Sequence, residues 1–216
     1  MLALEFHCHT SHSPDSLVSP AALVETCRQR GIDRVVITDH NRISGALEAQ
    51  QLAPELVIVG EEILTTRGEL LCAFVKEEIP SGLPPREAID RLRTQGAFIS
   101  VSHPFDRLRK GAWELPDLLE IAPLVDAIET FNARCLLPAF NRRAADFARQ
   151  HSLAGTSGSD AHTLVELGRA LMRLPDFHDA DSLRRAISEA EHLRSSSGLL
   201  ARLGSRYAAL RHKLSR

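Results

Sequence analysis

The sequence predicts an α/β fold, a small and incomplete barrel of parallel strands in a single domain. Short β-branched or apolar runs alternate with helical patterns, and such strand–helix units imply parallel strands joined by helical crossovers. Roughly six or seven of these units occupy about 190 residues, which suits a small barrel better than two domains. The chain has 216 residues, enough for one sizeable core, and its sequence shows no internal repeat or long linker.

The expected elements follow in order from the N-terminus. Apolar and β-branched runs predict strands at 2–9, 34–38, 56–59, 70–75, 98–101, 127–131, 153–156 and 170–174. Amphipathic patterns predict helices at 20–30, 44–52, 85–95, 136–150 and 182–192. Ser19 before Pro20 is a helix start signal, and Gly31 and Gly96 are stop signals. Residues 113–124 form a mixed stretch broken by proline.

The end of the chain differs from the rest. We expect a barrel domain over residues 1–194 and a basic amphipathic helical tail over 195–216, which begins at a Ser-Ser-Ser-Gly stretch. No acidic residue follows Glu191, while basic and apolar residues recur at helical spacing: Arg194, Arg202, Arg206, Arg211, Lys213 and Arg216, with Leu199, Leu200, Leu203, Tyr207, Leu210 and Leu214. Packing on the barrel or on a partner subunit explains such a helix. Binding to an acidic partner, nucleic acid or a membrane surface is the alternative.

Composition limits the classes of function. The net charge is −2, which argues against binding nucleic acid over the whole surface. The four cysteines form no CxxC pair and are typical of reduced, packed thiols; Cys8 is expected to face away from its histidine neighbours. We find no signal-peptide pattern and no apolar run long enough for a membrane span, so the sequence predicts a cytoplasmic protein.

Five short segments place histidines and carboxylates at the ends of predicted strands: Phe6-His7-Cys8-His9, Thr38-Asp39-His40, Gly60-Glu61-Glu62, Ser102-His103-Pro104 and Gly158-Ser159-Asp160-Ala161-His162. In a parallel barrel these strand ends meet at one rim. Residues two apart on a strand share a face and point inward together. Burying so many polar groups without a metal costs roughly 1–3 kcal/mol for each one left unsatisfied. The pattern therefore predicts a polynuclear metal site.

The ordered set of motifs resembles the PHP (polymerase and histidinol phosphatase) superfamily over about residues 2–175. The resemblance implies a distorted, TIM-like (βα)7 barrel that binds two or three divalent ions. The segment Ile128-Glu129-Thr130-Phe131-Asn132-Ala133-Arg134, followed by a helix with Asn141, resembles the small stand-alone members rather than the polymerase-linked ones.

The resemblance also implies a set of ligands. One ion would be held by His7, His9, Glu62 and Asp160. Glu62 would bridge to a second ion with His103. A third would be held by His40, His162 and a first-loop residue, for which Asp15 is the candidate and His12 a competitor. Glu69 stands where many relatives have a histidine, and a carboxylate there favours manganese, iron or magnesium over zinc.

Substrate contacts are expected beside these ligands. Arg134 and Arg107 are candidates to bind a phosphate in bidentate fashion, and Asn132 lies on the same rim. The alternatives are surface salt bridges for the arginines and a capping role for Asn132. Asp15 is also typical of a turn. We expect Asp39, next in sequence, to orient His40, and the alternative is that it simply ends the strand.

The resulting hypothesis is a metal-dependent phosphoesterase that hydrolyses a small phosphomonoester or nucleotide with a metal-activated hydroxide. Asp160, His162 and Arg134 are its catalytic candidates, and the cofactors are two or three Mn, Fe or Zn ions, with Mg as an alternative. Three other functions stay open: a single-strand nuclease that grips through the basic tail, a catalytically silent metal-stabilised binding module, and hydrolysis of a C–N bond. The sequence leaves the oligomeric state open.

Overall fold

The computed structural model describes residues 1–214, and the side chains of all of these except 199–203. The strands within that range are β1 Leu2–Cys8, β2 Arg34–Ile37, β3 Val57–Leu64, β4 Glu69–Ala73, β5 Phe98–Val101, β6 Ala127–Asn132, β7 Ala154–Gly158, β8 Ala170–Leu174 and β9 Glu191–Arg194. The helices are α1 Pro20–Gln29, α2 Ser44–Leu52, α3 Pro85–Thr94, α4 Leu115–Ile121, α5 Pro138–Gln150, α6 Ala180–Ala186 and α7 Leu199–Leu214.

The strands form one sheet in the order β7-β6-β5-β4-β3-β2-β1-β8-β9. β1, β2 and β3 run parallel, as do β5, β6 and β7. The expectation of a wholly parallel barrel is wrong at two places, because β4 is antiparallel to both neighbours and β8 is antiparallel to β1 and β9. A short turn without a crossover helix joins β3 to β4, and such a connection reverses the chain direction.

The sheet curls into a nearly closed barrel within a single domain, as predicted. Its open seam is bridged where the segment after β7 meets the end of β1. The Asp160 N–H donates to the His7 carbonyl at 2.7 Å, and the His9 N–H donates to the Ala161 carbonyl at 2.9 Å. The backbone itself therefore brings the first and last motifs together.

Apolar side chains pack on both faces of the sheet. On the outer face, helices α1 to α5 cover the strands through residues such as Leu23, Ile89 and Phe147. Inside the barrel, below the rim, a second cluster takes side chains from most of the strands, and α6 covers it with Leu183. We call this cluster the floor; its strand residues are Leu4, Phe6, Val36, Ile58, Leu71, Ala73, Phe98, Ala127, Met172 and Leu174.

Two predicted elements end elsewhere than expected. β3 continues to Leu64, so Glu62 lies within the strand rather than after it. The helix predicted over 182–192 is shorter: α6 begins at a capping box formed by Asp179 and Ser182, and residues 191–194 form β9. Pairing of β9 with β8 overrides the helical pattern there, because a sheet edge satisfies the backbone of this segment.

The predicted C-terminal helix exists as α7 and packs on the barrel. Ala208 is 2% exposed, and the His212 Nε2 donates to the Ser16 carbonyl at 2.9 Å. Three of its predicted apolar residues are exposed: Tyr207, Leu210 and Leu214. Five further residues of that prediction lie outside the residues whose side chains the structure describes: Leu199, Leu200, Arg202, Leu203 and Arg216. None of the helices in residues 1–214 combines the length and hydropathy of a membrane span.

Candidate metal centre

The rim of the barrel gathers every residue predicted to bind metal. Each of these side chains lies within 4.0 Å of at least one other member of the set, through nitrogen and oxygen atoms. We call this set the metal cluster: His7, His9, Asp15, His40, Glu62, Glu69, His103, Asp160 and His162. Five separate motifs and two further segments of the chain therefore meet at one place.

Four side chains of the metal cluster form its inner group. The Glu62 Oε2 lies 3.3 Å from the His7 Nε2 and 3.4 Å from the His9 Nε2. The Asp160 Oδ1 lies 3.7 Å and 3.3 Å from the same two nitrogens. Asp160 adopts a left-handed backbone conformation, with φ of +52°, which aspartate tolerates better than most residues. Local backbone strain of this kind is common at functional sites.

The second oxygen of Glu62 faces a different set of partners. Its Oε1 lies 3.1 Å from the His103 Nε2 and accepts a hydrogen bond from the Ser102 hydroxyl. The His103 Nε2 is also 3.4 Å from the Glu69 Oε2. Glu69 reaches this point because β4 is antiparallel, so its first residue lies at the rim. Gly111 packs against the Glu69 carboxylate so closely that a side chain there would collide with it.

Asp15 joins two histidines in an outer group. Its Oδ2 lies 3.0 Å from the His162 Nε2 and 3.6 Å from the His40 Nε2. The ligating atoms of His9, His40 and His162 also lie within 4.8 Å of one another. His12, the competing first-loop residue, points elsewhere: its ring nitrogens contact Ser44 and Glu48.

Hydrogen bonds from outside the cluster orient its imidazoles. The His7 Nδ1 lies 2.9 Å from the Glu129 Oε1, and since a carboxylate only accepts, His7 carries its proton on Nδ1. The His7 Nε2 then faces Glu62 and Asp160. Burial opposes the charge of His7, but Glu62, Asp160 and Glu129 outweigh it and raise the pKa of His7 well above its usual range, so a cation bound at Nε2 would replace a proton there. The other oxygen of Glu129 accepts from the backbone N–H of His103. Buried Glu129 is thus the carboxylate partner that metal-binding histidines commonly have.

Asp39 supports His9 rather than His40. The Ser13 hydroxyl donates to the Asp39 Oδ1 at 2.9 Å, so the His9 Nδ1, at 3.2 Å, donates to the Ser13 oxygen. This fixes the His9 Nε2 toward the inner group. His40 meets the same Ser13 oxygen only through its backbone N–H. The expectation that Asp39 orients the His40 ring is therefore wrong, because the turn at Ser13 lies between them.

The two inner carboxylates are strongly biased toward the ionised form. Burial opposes the charge of Glu62, but His7 and His40 outweigh it and hold the pKa of Glu62 well below its usual range. Burial also opposes the charge of Asp160, whose pKa is held well below its usual range by Arg109 and His7. Both carboxylates are thus in the state that ligates a cation.

The histidines divide into two kinds. Burial, followed by repulsion from His162 and His40, lowers the pKa of His9 to about 3. Burial acts in the same direction on His40, but Glu62 and Asp15 outweigh it and raise the pKa of His40 to about 10. A cation therefore has to displace a proton from His40 at neutral pH, but not from His9.

The sequence predicted Arg107 as a substrate contact, but the structure places a neighbouring arginine in the site instead. Arg107 lies outside the cluster: its side chain is 55% exposed and pairs with Glu114. Arg109, two residues further on, is the one that enters the site. It contacts Asp160 and Asp106, and its Nη2 lies 3.4 Å from the Asn132 Oδ1. Sequence reasoning missed Arg109 because residues 102–112 carry no regular pattern.

Asn132 is placed on the rim as expected, but it is 1% exposed. Its Nδ2 donates to the Glu129 Oε2 and to the Asp160 Oδ2, each at 3.1 Å, and its Oδ1 accepts from the Arg134 N–H. These bonds occupy the amide group. Asn132 therefore holds ligands and their supports in position, and the expectation that it binds substrate is not favoured.

Arg134 connects the metal cluster to its surroundings. Its Nη1 lies 2.5 Å from the His162 Nδ1, its Nε lies 3.1 Å from the Glu166 Oε1, and its Nη2 donates to the Ser205 hydroxyl at 2.7 Å. The sequence gave no site role to Glu166 or to Glu129, because neither lies in a histidine motif. Both are buried and become recognisable only through their partners.

The donor set of the inner group fits a divalent cation. Four of its buried atoms have no hydrogen-bond partner among the residues that the structure describes: His7 Nε2, His9 Nε2, Glu62 Oε2 and Asp160 Oδ1. A buried polar atom without a partner costs about 1–3 kcal/mol, and here four such atoms converge. Imidazole nitrogens combined with carboxylate oxygens are ligands for zinc, iron and manganese.

The fold and the cluster together define a metal-binding βα barrel. The sequence profile of the PHP domain matches residues 5–79, and the profile described as PHP-associated matches residues 138–191. The chain is 33% identical over 180 residues to the uncharacterized protein MJ0417 of Methanocaldococcus jannaschii, and the match covers 82% of this chain and 72% of that one. The chain belongs to the PHP domain family, as its motifs indicated.

Solved structures share the fold. A protein described as a metal-dependent phosphoesterase of Bifidobacterium adolescentis superposes with a TM-score of 0.64 at 18% identity, covering 91% of this chain and 97% of that one. A lesion-specific endonuclease of Pyrococcus furiosus superposes with a TM-score of 0.59 at 15% identity, covering 88% of this chain and 57% of that one. At such identities the likeness concerns the fold alone.

Proposed function

We propose that this protein is a metal-dependent hydrolase, specifically a phosphoesterase acting on a small phosphomonoester or nucleotide. The observation that carries the proposal is the convergence of buried, unpaired ligand atoms beside an open pocket of about 660 Å³. We call it the outer pocket. It is lined by the outer members of the metal cluster and by cationic side chains: Asp15, His40, Glu69, His103, His162, Arg109, Lys110, Arg134 and Arg206.

The chain contributes a prepared set of ligands. Two or three divalent ions, Mn, Fe or Zn with Mg as the alternative, would lower the pKa of a water molecule and neutralise charge on a phosphoryl group. Glu62 directs one oxygen at His7 and His9 and the other at His103, so it is suited to bridging. Asp160 and His162 hold their positions through the backbone that closes the barrel.

We assign phosphate recognition to Arg134. It lines the outer pocket next to His162, and a planar guanidinium can hold a phosphoryl group through two parallel hydrogen bonds. Its ion pair with Glu166 fixes the plane of the group in advance. Arg107 does not line the outer pocket, and its ion pair with Glu114 lies on the exposed surface.

A single-strand nuclease is the second candidate. Arg206 of α7 lines the outer pocket, and Arg211 and Lys213 follow it on the same helix. A single-stranded nucleic acid that enters the pocket would therefore pass basic residues. The solved endonuclease of the same fold is a precedent for nuclease activity. Salt dependence separates the two functions, because binding through several phosphates weakens steeply as salt rises.

The main test is a substrate screen on manganese-reconstituted protein, using phosphorylated metabolites, nucleotides and short single strands. We expect turnover of a small phosphomonoester or nucleotide that chelation abolishes and manganese restores. His9→Ala should lose both bound metal, measured by elemental analysis, and turnover. His178→Ala is the matched control, because that histidine is exposed and outside the cluster. Turnover that survives complete metal removal, or equal turnover by His9→Ala, contradicts the proposal.

We also propose that the protein is located in the cytoplasm. All four cysteines are buried free thiols: Cys8, Cys27, Cys72 and Cys135. Free thiols persist where the surroundings are reducing. Mass spectrometry of thiol alkylation in protein taken from its native cells tests this, with four alkylated cysteines after unfolding as the expected result.

A further inference from the structure

The outer pocket is built by three segments of the chain. The metal ligands form its inner side. The loop after β5 contributes residues 108–111, and the loop after β6 contributes Arg134 and Leu136. The last helix, α7, contributes Ser205 and Arg206. A helix beyond the last strand thus forms part of the wall in front of the metal cluster.

The position of α7 at this wall is fixed by contacts along its length. The Ser205 hydroxyl accepts a hydrogen bond from Arg134, Ala208 is buried, and His212 donates to the backbone of Ser16. Ser205, Ala208 and His212 are spaced three and four positions apart, so one side of the helix faces the barrel. Arg206 is held at the pocket by this docking rather than by its own interactions.

The cations of the outer pocket differ in how their charges are balanced. Arg109 is paired with Asp106 and Asp160, and Arg134 is paired with Glu166. Lys110 and Arg206 are exposed, and neither has an ion-pair partner among the described residues. Two uncompensated cations from distant segments therefore line the same cavity. The acids of the same pocket face histidines instead, Asp15 contacting His162 and Glu69 contacting His103. The two exposed cations are therefore available to attract an anion.

We propose that Lys110 and Arg206 form a second anion subsite, and that the substrate is a small molecule with a further phosphate or carboxylate besides its scissile phosphoryl group. This inference rests on the phosphoesterase function and extends it. A cavity of about 660 Å³ has room for a metabolite of this kind. The inner ligands and Arg134 hold the scissile end, and Lys110 and Arg206 hold the far end.

Matched substrate pairs on the manganese-loaded full chain test the subsite. Glycerol 3-phosphate and 3-phosphoglycerate differ by a carboxylate, and fructose 6-phosphate and fructose 1,6-bisphosphate differ by a phosphate, so the two pairs distinguish the sources of the second charge. We expect kcat/KM to be about 10-fold higher for the doubly anionic member of at least one pair, the size of one charge-assisted contact. The Lys110→Gln/Arg206→Gln double variant should reduce that ratio to below about 3.

The control combines Lys76→Gln with Arg173→Gln, because this removes two charges at exposed residues outside the outer pocket, and it should keep the ratio. Equal kcat/KM within both pairs overturns the subsite, as does a ratio that the double variant retains. If the double variant instead weakens only the binding of a single-stranded oligonucleotide, the two cations belong to a nucleic-acid grip and the inference is wrong.

A binding measurement separates this inference from the phosphoesterase function itself. Calorimetric titration of the metal-loaded protein with glycerol 3-phosphate and with 3-phosphoglycerate needs no turnover. A tighter Kd for 3-phosphoglycerate that the double variant removes supports the subsite even if no tested ester is hydrolysed. Hydrolysis of esters with no affinity difference in either pair supports the phosphoesterase and overturns the subsite.

Discussion

The upper and lower halves of the barrel interior use the same strands for opposite purposes. At the rim, β1 supplies His7 to a polar cluster in which buried atoms lack partners. One residue earlier, the same strand supplies Phe6 to the floor, where its ring packs edge-to-face on Phe98 at 5.6 Å. The floor follows the usual rule that apolar side chains fill a core. The rim departs from that rule, and such departures mark functional sites.

Metal binding and the stability of the fold therefore depend on residues at different positions along the strand axis. The floor removes apolar surface from water and stabilises the fold. The rim places ionised groups in a buried position, which costs free energy until opposite charge compensates them. Variants in the two halves should therefore have separable effects on metal binding, activity and stability.

The largest expected effect comes from the centre of the rim. Glu62→Gln removes a charged ligand that faces both neighbouring groups of histidines. Loss of one preorganised electrostatic group costs an active site about 10²- to 10³-fold in kcat, and we expect a fall of that size together with loss of bound metal. Elemental analysis and steady-state kinetics measure both.

Glu61→Gln is the matched control for this change. Glu61 is the adjacent residue on β3, accepts from the Ile79 N–H, and is not part of the metal cluster. Burial raises its pKa to about 8, so a neutral amide replaces a mostly neutral acid at pH 7. Full metal binding by Glu62→Gln, or equal losses of metal and kcat in Glu62→Gln and Glu61→Gln, would contradict the assignment of metal binding to the rim.

The floor should show the reverse behaviour. Phe98→Ala removes a fully buried ring, and we expect the free energy of unfolding to fall by about 3–5 kcal/mol. Metal content and kcat per folded molecule should stay near those of the native chain. Denaturant unfolding of the metal-free protein measures the stability. Leu119→Ala, at an exposed residue, is the control and should change it by less than about 0.5 kcal/mol.

A smaller effect is expected one layer behind the rim. Glu129→Gln keeps the shape of the side chain but weakens its hold on the His7 Nδ1 proton and on the His103 N–H. Such supporting carboxylates are typically worth 10- to 100-fold in metal affinity. Competition with a chelator of known affinity measures the change. Unchanged affinity would mean that the rim is organised by its ligands alone.

The smallest expected effect is on how the free energy of unfolding depends on pH, at a residue outside both the rim and the floor. Burial, with repulsion from Arg194, lowers the pKa of His192 to about 4. His192 therefore binds a proton more weakly in the folded state than in the unfolded state. It has no effect on the free energy of unfolding above pH 6.5, and it lowers that free energy increasingly as the pH falls from 6.5 toward 4. His192 is half-buried, so solvent screening limits the effect to about 1 kcal/mol.

His192→Asn should therefore flatten the stability of the metal-free protein between pH 6.5 and 4 relative to the native chain. Urea unfolding at pH 7, 5.5 and 4 gives the comparison, and His178→Asn, at an exposed position, serves as the control. A native-like slope in His192→Asn would contradict the assignment of this acid sensitivity to His192.

Local sequence patterns were sufficient to predict the fold class and to select the candidate metal ligands. Strand and helix patterns are local, so most elements lie where periodicity predicts them, and 98–101 and 170–174 match residue for residue. The ligand motifs are local too. Once strand ends are placed on one rim, His7, His40 and Asp160 have to meet there.

The neighbours that complete the site follow from long-range packing. The reversal of β4 brings Glu69 to the rim, and side-chain packing selects Arg109 over Arg107. Likewise, Glu129 becomes a support for His7 through a contact that spans 122 residues of chain. Such outcomes depend on which distant surfaces fit and which charges compensate each other, and a local pattern carries no information about either.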